Sequence, residues 1–241
     1  MSRIFLLILV VTTAPQAVFA QEIAISLGDE NSLSARTLQL FALITVLSLA
    51  PGLAIMVTCF PFIVTVFSIL RQAIGLQSAP PNMLIVSLAL FLTYFVMEPV
   101  FLEAWENGLK PLTNEEIEPD VAFERTLAPF RGFMTARLDA ETFDAMAELR
   151  PDTAGIPLDS NAPLSVLVPS FLLSEIARAF QVGFLVFLPF LIIDLVVAAV
   201  LMSMGMMMVP PAVVALPFKL AFFVVADGWA LIAGSLVRSY F

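Results

Sequence analysis

Long apolar stretches separated by short polar breaks run along most of the chain. No residue between Arg36 and Arg71 is charged, and the forty residues 179–218 carry one charge, at Asp194. A helix of about 20 apolar residues is long enough to cross the hydrocarbon core of a bilayer. The alternation with a period of two that strands show is missing from this sequence. The pattern predicts an all-α, membrane-associated protein with long, kinked helices and a small helical periplasmic insertion.

Proline, glycine and polar residues divide these stretches into four long helices and one short one. The first hairpin region, 37–103, is predicted to hold helices over residues 37–56 and 83–101, with a short helix at 62–70 between them. The second hairpin region, 166–241, is predicted to hold helices over 169–201 and 212–236. Four residues mark the expected kinks and interruptions: Gly183, Pro189, Pro217 and Gly228.

A turn is predicted after the short helix. Gly75 and the run Ser78-Ala-Pro-Pro-Asn82 contain the residue types that end helices and form turns. Pro80 and Pro81 end the turn, and Asn82 is expected to cap the next helix through its side-chain oxygen. We therefore single out Pro80, Pro81 and Asn82 as a turn motif.

The first twenty residues resemble a signal peptide. Arg3 is followed by eight apolar residues, 4–11, and Val18-Phe19-Ala20 offers a small-residue cleavage site. An uncleaved membrane helix is the weaker interpretation, because Pro15 and Gln16 interrupt the segment short of a full span. Cleavage of residues 1–20 predicts an exported N-terminus and a periplasmic lead-in over residues 21–36.

The net charge of −9 lies in one segment. Residues 98–165 contain fourteen acidic and five basic side chains, and the rest of the chain contains six of each. We expect residues 104–165 to form an acidic helical insertion on the periplasmic side. Its apolar face at helical spacing comprises Phe123, Leu127, Phe130, Phe133, Met134, Leu138, Phe143, Met146 and Leu149. Without a basic surface, nucleic acid is excluded as a partner.

Cysteine and histidine usage argues against an enzyme. The chain has one cysteine, Cys59, and no histidine. The sequence therefore predicts no zinc, haem or iron–sulfur site, no Ser-His or Cys-His pair, and no cofactor.

We single out five of the charged residues in the second apolar region. They are Glu175, Arg178, Asp194, Lys219 and Asp227. Charges in such surroundings are costly, so each is a functional hypothesis. A proton or ion path, as in a proton-coupled secondary transporter, is one interpretation. The preferred one pairs Asp194 or Glu175 with Lys219 or Arg178, within the chain or between subunits. An aspartyl protease is disfavoured, because neither Asp194 nor Asp227 follows Gly-x-Gly.

Five methionines crowd into seven positions at the end of the third long helix. They are Met202, Met204, Met206, Met207 and Met208, with Gly205 among them and Pro210-Pro211 after them. Methionine stripes are usually packing, but consecutive methionines cannot share one helix face. A flexible thioether also adapts to changing shapes. We expect segment 202–211 to form a loop or broken helix that lines a lumen.

Several long motifs resemble the FliP family. They are Ser78-Ala-Pro-Pro-Asn82, Phe180-Gln-Val-Gly-Phe184, Leu188-Pro-Phe-Leu-Ile-Ile-Asp194, Met204-Gly-Met-Met-Met-Val-Pro-Pro211, Leu216-Pro-Phe-Lys-Leu220 and Asp227-Gly-Trp229. Their order and spacing follow the family, and the resemblance covers nearly the whole chain after residue 20.

The resemblance implies a core subunit of the flagellar type III export gate. It implies a homopentameric ring that joins FliQ and FliR subunits at the basal body in the bacterial inner membrane. FlhA and FlhB are further implied partners, and unfolded flagellar proteins are the implied cargo. The methionine loop would then be the pore gasket, chiefly Met206, Met207 and Met208.

The resemblance also leaves two questions open. Virulence injectisome subunits share the motifs, although a signal peptide favours the flagellar branch. In addition, assembled family members bury apolar helices against neighbouring subunits, so a simple four-span topology describes only the unassembled chain.

Overall fold

The computed structural model describes residues 30–76, 79–206 and 208–241. The predicted signal peptide, most of the predicted lead-in, and Met207 lie outside these ranges. By internal contacts, the described residues divide between Ser48 and Leu49 into two units.

All regular elements of the described residues are helical, which confirms the all-α prediction. A π-helical turn, Trp105–Leu109, joins α3 to α4. The α-helices are α1 (Glu30–Met56), α2 (Phe60–Ile74), α3 (Asn82–Ala104), α4 (Lys110–Thr113), α5 (Pro119–Arg137), α6 (Ala140–Glu148), α7 (Leu164–Ser203), α8 (Pro211–Val225) and α9 (Gly228–Arg238).

Three described helices are long and apolar enough to cross a membrane. They are Arg36–Met56, Asn82–Thr113 and Leu164–Ser203, and the bent pair α8–α9, with 60° between its halves, makes a fourth if it counts as one span. Helix α7 has 40 residues and is therefore about 60 Å long, roughly twice the thickness of the hydrocarbon core. Part of α7 consequently extends beyond any bilayer it crosses.

Helix α2 is the centre of the main core, although it is too short to span a membrane. Phe62, Ile63, Val66, Phe67 and Leu70 are all fully buried, and α3, α7 and α9 pack around them. Gly183 permits the closest approach of α7, since a Cβ there would overlap the side chain of Ile69. Gly183 is thus a packing position, and α7 continues through it without a break.

Helix α3 extends beyond its predicted end. The prediction ended this helix at residue 101, whereas the observed helix, with Pro99 inside it, continues to Ala104. Burial explains the extension, because Ala104 and Gly108 both pack inside the fold. A Cβ on Gly108 would overlap the backbone of Thr126 on α5, so the two segments lie in direct backbone contact.

The insertion contains two helices, α5 and α6, where the sequence suggested amphipathic pieces such as 130–149. The break falls at Leu138, which is buried, and Asp139, which caps α6 by accepting a hydrogen bond from the Thr142 backbone N–H at 2.9 Å. This bond, together with a second one from the Thr142 hydroxyl, lowers the pKa of the Asp139 carboxyl group.

A second core joins the insertion to the start of α7. Met134, Phe143, Leu167 and Phe171 lie at its centre. Most of the apolar face predicted for the insertion is buried or half-buried. Phe123 and Leu149 are exposed, so their inclusion in that face was wrong.

Candidate functional site

The methionine segment begins with a glycine-terminated helix end. Gly205 adopts a left-handed φ of 73°, its N–H donates to the Met202 carbonyl, and the Met206 N–H donates to the Leu201 carbonyl. This pair of bonds satisfies the last carbonyls of α7 and turns the chain away from the helix axis. Pro210 and Pro211 then begin α8. Only Met202 belongs to α7, and Met204, Met206 and Met208 lie in the connection.

The described methionines of segment 202–211 point out of the fold. Met208 is 96% exposed, and Met202, Met204 and Met206 are also exposed. An exposed cluster of large apolar side chains marks an interaction surface. Within one chain, these methionines do not serve as core.

An apolar groove lies beside them, between the end of α7 and the start of α8. Its volume is about 560 Å³. Its lining is entirely apolar and comprises Ile192, Ile193, Val196, Val197, Val200, Leu201, Met204, Met206, Val214 and Phe218. The methionine connection therefore forms the edge of a larger apolar surface.

Asp194 and Lys219 form an ion pair behind this surface. The Lys219 Nζ lies 2.6 Å from the Asp194 Oδ2 and also donates to the Ala73 carbonyl at 3.0 Å. Ala73 is in the last turn of α2, where carbonyls lack helical partners and the helix dipole favours a cation. Lys219 thus joins α2, α7 and α8, while the buried Asp194 Oδ1 makes no hydrogen bond.

Glu175 lies at the centre of a second charged cluster, toward the other end of α7. Its side chain is fully buried. The Arg137 Nε is 3.3 Å from Glu175 Oε1, the Arg178 Nη1 is 3.6 Å from the same oxygen, and the Tyr240 hydroxyl donates to Oε2 at 2.5 Å. The carboxylate therefore has a partner for each oxygen.

Sequence reasoning missed Arg137 and Tyr240. Arg137 ends α5 in the insertion and lies 38 positions before Glu175, so local patterning does not connect them. Tyr240 follows the last helix and has no charge.

The remaining sequence-predicted residues lie apart from these pairs. Asp227 is exposed, has a left-handed φ of 47°, and begins α9 without a side-chain cap hydrogen bond. The predicted capping role of Asn82 is wrong. Pro81 occupies the cap position, and the Asn82 side-chain oxygen accepts from Arg71, a cation at the end of α2 that the turn brings within reach. Pro80 follows a cis peptide bond.

The apolar helices and the exposed methionine connection define an all-α membrane protein that presents a large apolar surface at one end of its longest helix. The chain belongs to the FliP family. A model of that family matches residues 43–236.

Individual relatives agree with the family match. The flagellar biosynthetic protein FliP of Caulobacter vibrioides is 50% identical over 231 residues, which is 94% of this chain and 85% of that protein. The protein of the same name from Agrobacterium fabrum is 44% identical over 244 residues and covers both chains fully. The Bacillus subtilis protein of that name is 45% identical over 219 residues, 89% of this chain and 96% of that protein.

Proposed function

We propose that this chain is a core pore-forming subunit of the flagellar type III protein export gate. Its membership in the FliP family supports this, as do relatives named flagellar biosynthetic proteins. In this proposal, copies form a homopentameric ring that joins FliQ and FliR, with FlhA and FlhB as neighbouring components. The assembly lies in the bacterial inner membrane at the flagellar basal body, and unfolded flagellar subunits pass through it.

The exposed methionine connection is the observation that carries this proposal. Met208 is 96% exposed, and Met204 and Met206 border an apolar groove, so a single chain leaves a large apolar surface uncovered. Exposure of that kind is costly in water and is relieved by contact with other subunits. One connection closes nothing, whereas a ring of connections encloses a central opening.

Methionine suits such an opening chemically. A pore for unfolded protein must admit any side chain and still hold back ions at rest. Flexible thioethers close by dispersion contacts and separate around a passing chain without breaking specific hydrogen bonds. A narrow apolar ring also excludes water and thereby ions.

The ion pair of Asp194 and Lys219 positions this gasket. It fixes α8 against α7 and the end of α2, on the two helices that the methionine segment connects. In this proposal the pair is structural, because each charge already has its partner within the chain. Asp194 is thereby less suited to a transported proton or substrate than a free carboxylate.

In this proposal the two ends of α7 lie on opposite sides of the membrane, with the insertion at the periplasmic end. Arg137 in the insertion donates to the Ser239 carbonyl, so the insertion and the C-terminus lie at the same end. Helix α7 then runs from the insertion end to the methionine connection, and the bent pair α8–α9 runs back to the insertion end. With a periplasmic insertion, the C-terminus is periplasmic and the methionine connection faces the cytoplasm.

The test is replacement of Met206, Met207 and Met208 by alanine in cells that express the complete apparatus. We expect uptake of a small solute that is normally excluded to rise severalfold, while secretion of flagellar subunits continues. Unchanged permeability in this variant would contradict the gasket role.

A control variant tests whether the effect requires the methionines of this segment or follows from the loss of any exposed methionine. Met83 is 80% exposed at the start of α3 but lies outside the methionine segment. Met83→Ala is expected to leave permeability unchanged. Images of the purified complex that show no ring of copies would contradict the ring itself.

A further inference from the structure

The last residues of the chain dock onto the insertion end of the core. The Arg137 Nη1 donates to the Ser239 carbonyl at 2.7 Å, and the Tyr240 hydroxyl donates to Glu175. Helix α9 has already ended at Arg238, so these contacts are made by residues beyond the helix. The C-terminus is therefore held by side chains from α5 and α7, far away in sequence.

The Tyr240 ring is enclosed on several sides. The Arg137 guanidinium lies 3.9 Å from its centroid, the Phe133 ring stacks on it at 6.0 Å, and the Phe62 ring meets it edge-on at 5.7 Å. Cation–π and edge-on aromatic contacts of this kind are favourable and directional. Arg137, Phe133 and Phe62 come from α5 and α2, so one ring touches the insertion and the main core together.

Burial and the adjacent Glu175 carboxylate raise the pKa of Tyr240. The phenol therefore keeps its proton and acts as a donor to Glu175 across the physiological pH range. Glu175 accepts from Arg137 through its other oxygen. The carboxylate thus links the C-terminus to α5 through two separate bonds.

Cys59 lies under this arrangement. Its side chain is 0% exposed, it belongs to the same core as Phe62, and Tyr240 packs against that core. Burial raises the pKa of Cys59 to about 12. A buried thiol with so little thiolate reacts slowly with alkylating reagents.

We propose that Ser239 and Tyr240 form a C-terminal latch that holds the insertion helix α5 against α2 and α7, and that release of this latch opens a route to Cys59. Among the ion pairs of the described residues, Arg137 with Glu175 is the one that joins the insertion to α7. Release of Tyr240 leaves a gap beside Phe62 and removes one partner of the buried Glu175. The latch is thus a conformational element of a single chain and does not depend on the ring proposed above.

The chain carries its own reporter for this proposal, because Cys59 is its one cysteine. The purified full-length protein in detergent is treated with an excess of a maleimide, and the modified fraction is followed over time by intact-protein mass. Tyr240→Phe removes only the hydroxyl and keeps the ring. We expect it to label about tenfold faster than the unaltered protein, the effect of losing one hydrogen bond to a charged group.

Removal of residues 239–241 is expected to speed labelling further, because the ring and the Ser239 carbonyl are lost as well. Phe241→Ala is the matched control, since Phe241 is exposed and is the neighbour of Tyr240. It is expected to label at the unaltered rate. Circular dichroism establishes that each variant keeps its helices, and complete labelling in SDS establishes that the thiol is intact.

Two outcomes would overturn the latch. One is that Tyr240→Phe, with its helices intact, labels no faster than the unaltered protein. The other is that Phe241→Ala labels as fast as Tyr240→Phe, which would assign the effect to general loosening of the terminus. Either result leaves the proposal about the methionine gasket untouched, because the assay involves neither a ring nor export.

Discussion

The two charged clusters of α7 differ in how completely a single chain encloses them. The Glu175 and Ser203 positions are roughly 40 Å apart along the helix, at 1.5 Å per residue. At the insertion end, Glu175 is fully buried and its oxygens have partners from α5 and the C-terminus. At the methionine end, Asp194 is a third exposed and Met208 is almost wholly exposed. The first end is enclosed within one chain, and the second leaves large apolar side chains exposed.

This difference distinguishes residues that stabilise the single chain from residues that are free to contact other molecules. A cluster that is closed within one chain contributes to folding whether or not partners are present. An exposed apolar cluster contributes little to the fold of the chain and instead marks a surface that contacts other molecules. Substitutions at the two ends should therefore change different measurements.

Removal of the Glu175 carboxylate is expected to have the largest effect on stability. Glu175→Ala leaves Arg137 without its carboxylate, and a buried charge that loses its partner costs about 3–5 kcal/mol. The free energy of unfolding in mixed detergent–SDS micelles measures the loss. Arg178→Ala is the comparison, because Arg178 is a third exposed at 3.6 Å and its loss should cost less than about 1 kcal/mol. Equal losses for the two variants would contradict a closed cluster.

The Asp194–Lys219 pair should come next. Asp194→Asn leaves the Lys219 ammonium, 6% exposed, with only the Ala73 carbonyl. We expect a loss of about 2 kcal/mol, smaller than for Glu175 because water reaches the Asp194 side of the pair. The same unfolding measurement tests it, and Lys219→Met in the Asp194→Asn background should restore part of the loss. Export is expected to fall in the single variant, because α8 is no longer fixed.

A glycine pair tests the packing of the insertion. Gly108→Ala places a methyl group against the Thr126 backbone, which cannot move without shifting α5, and we expect a loss of about 1–3 kcal/mol. Gly132 also lies in this region, inside α5, but nothing comes within 4 Å of a Cβ there. Gly132→Ala should therefore stabilise by about 0.5–1 kcal/mol through helix propensity. Thermal unfolding of the two purified variants measures the opposite signs, and the same sign for both would contradict the close contact.

The smallest effect on stability is expected at the methionine end. Met208→Ala removes an almost wholly exposed side chain, so the free energy of unfolding should change by less than about 0.5 kcal/mol. Permeability of the assembled gate is expected to rise in the same variant. A large loss of stability would show that Met208 belongs to a core within the chain, and the contrast between the two ends would be wrong.

Helix existence was predictable from the sequence, and helix limits were less so. Uncharged runs with proline breaks indicated each long helix, because lipid or subunit contact requires apolar side chains all round. The limits moved where tertiary contact outweighed local signals. Helix α3 was predicted to end at residue 101, but packing of Ala104 and Gly108 extends it to Ala104.

The candidate site was predictable in its residues and only partly in its geometry. Segment 202–211 was singled out by composition, and the Gly205 turn follows from a residue that tolerates φ above zero. Met202, however, lies within α7. Pairing was open between Asp194 or Glu175 and Lys219 or Arg178, because sequence separation says nothing about which helices touch. Arg137 and Tyr240 could not be connected to Glu175 at all.

The sequence by itself determined an all-α membrane protein of the FliP family, with its charge concentrated in one insertion and its methionines in one segment. These properties follow from the composition of the chain and from the order of residues along it. Only the tertiary structure decided that α2, which is too short to span a membrane, lies at the centre of the core, and that Glu175 is joined to Arg137 and Tyr240. Burial and pairing depend on which distant segments meet, and that is set by packing of the whole chain.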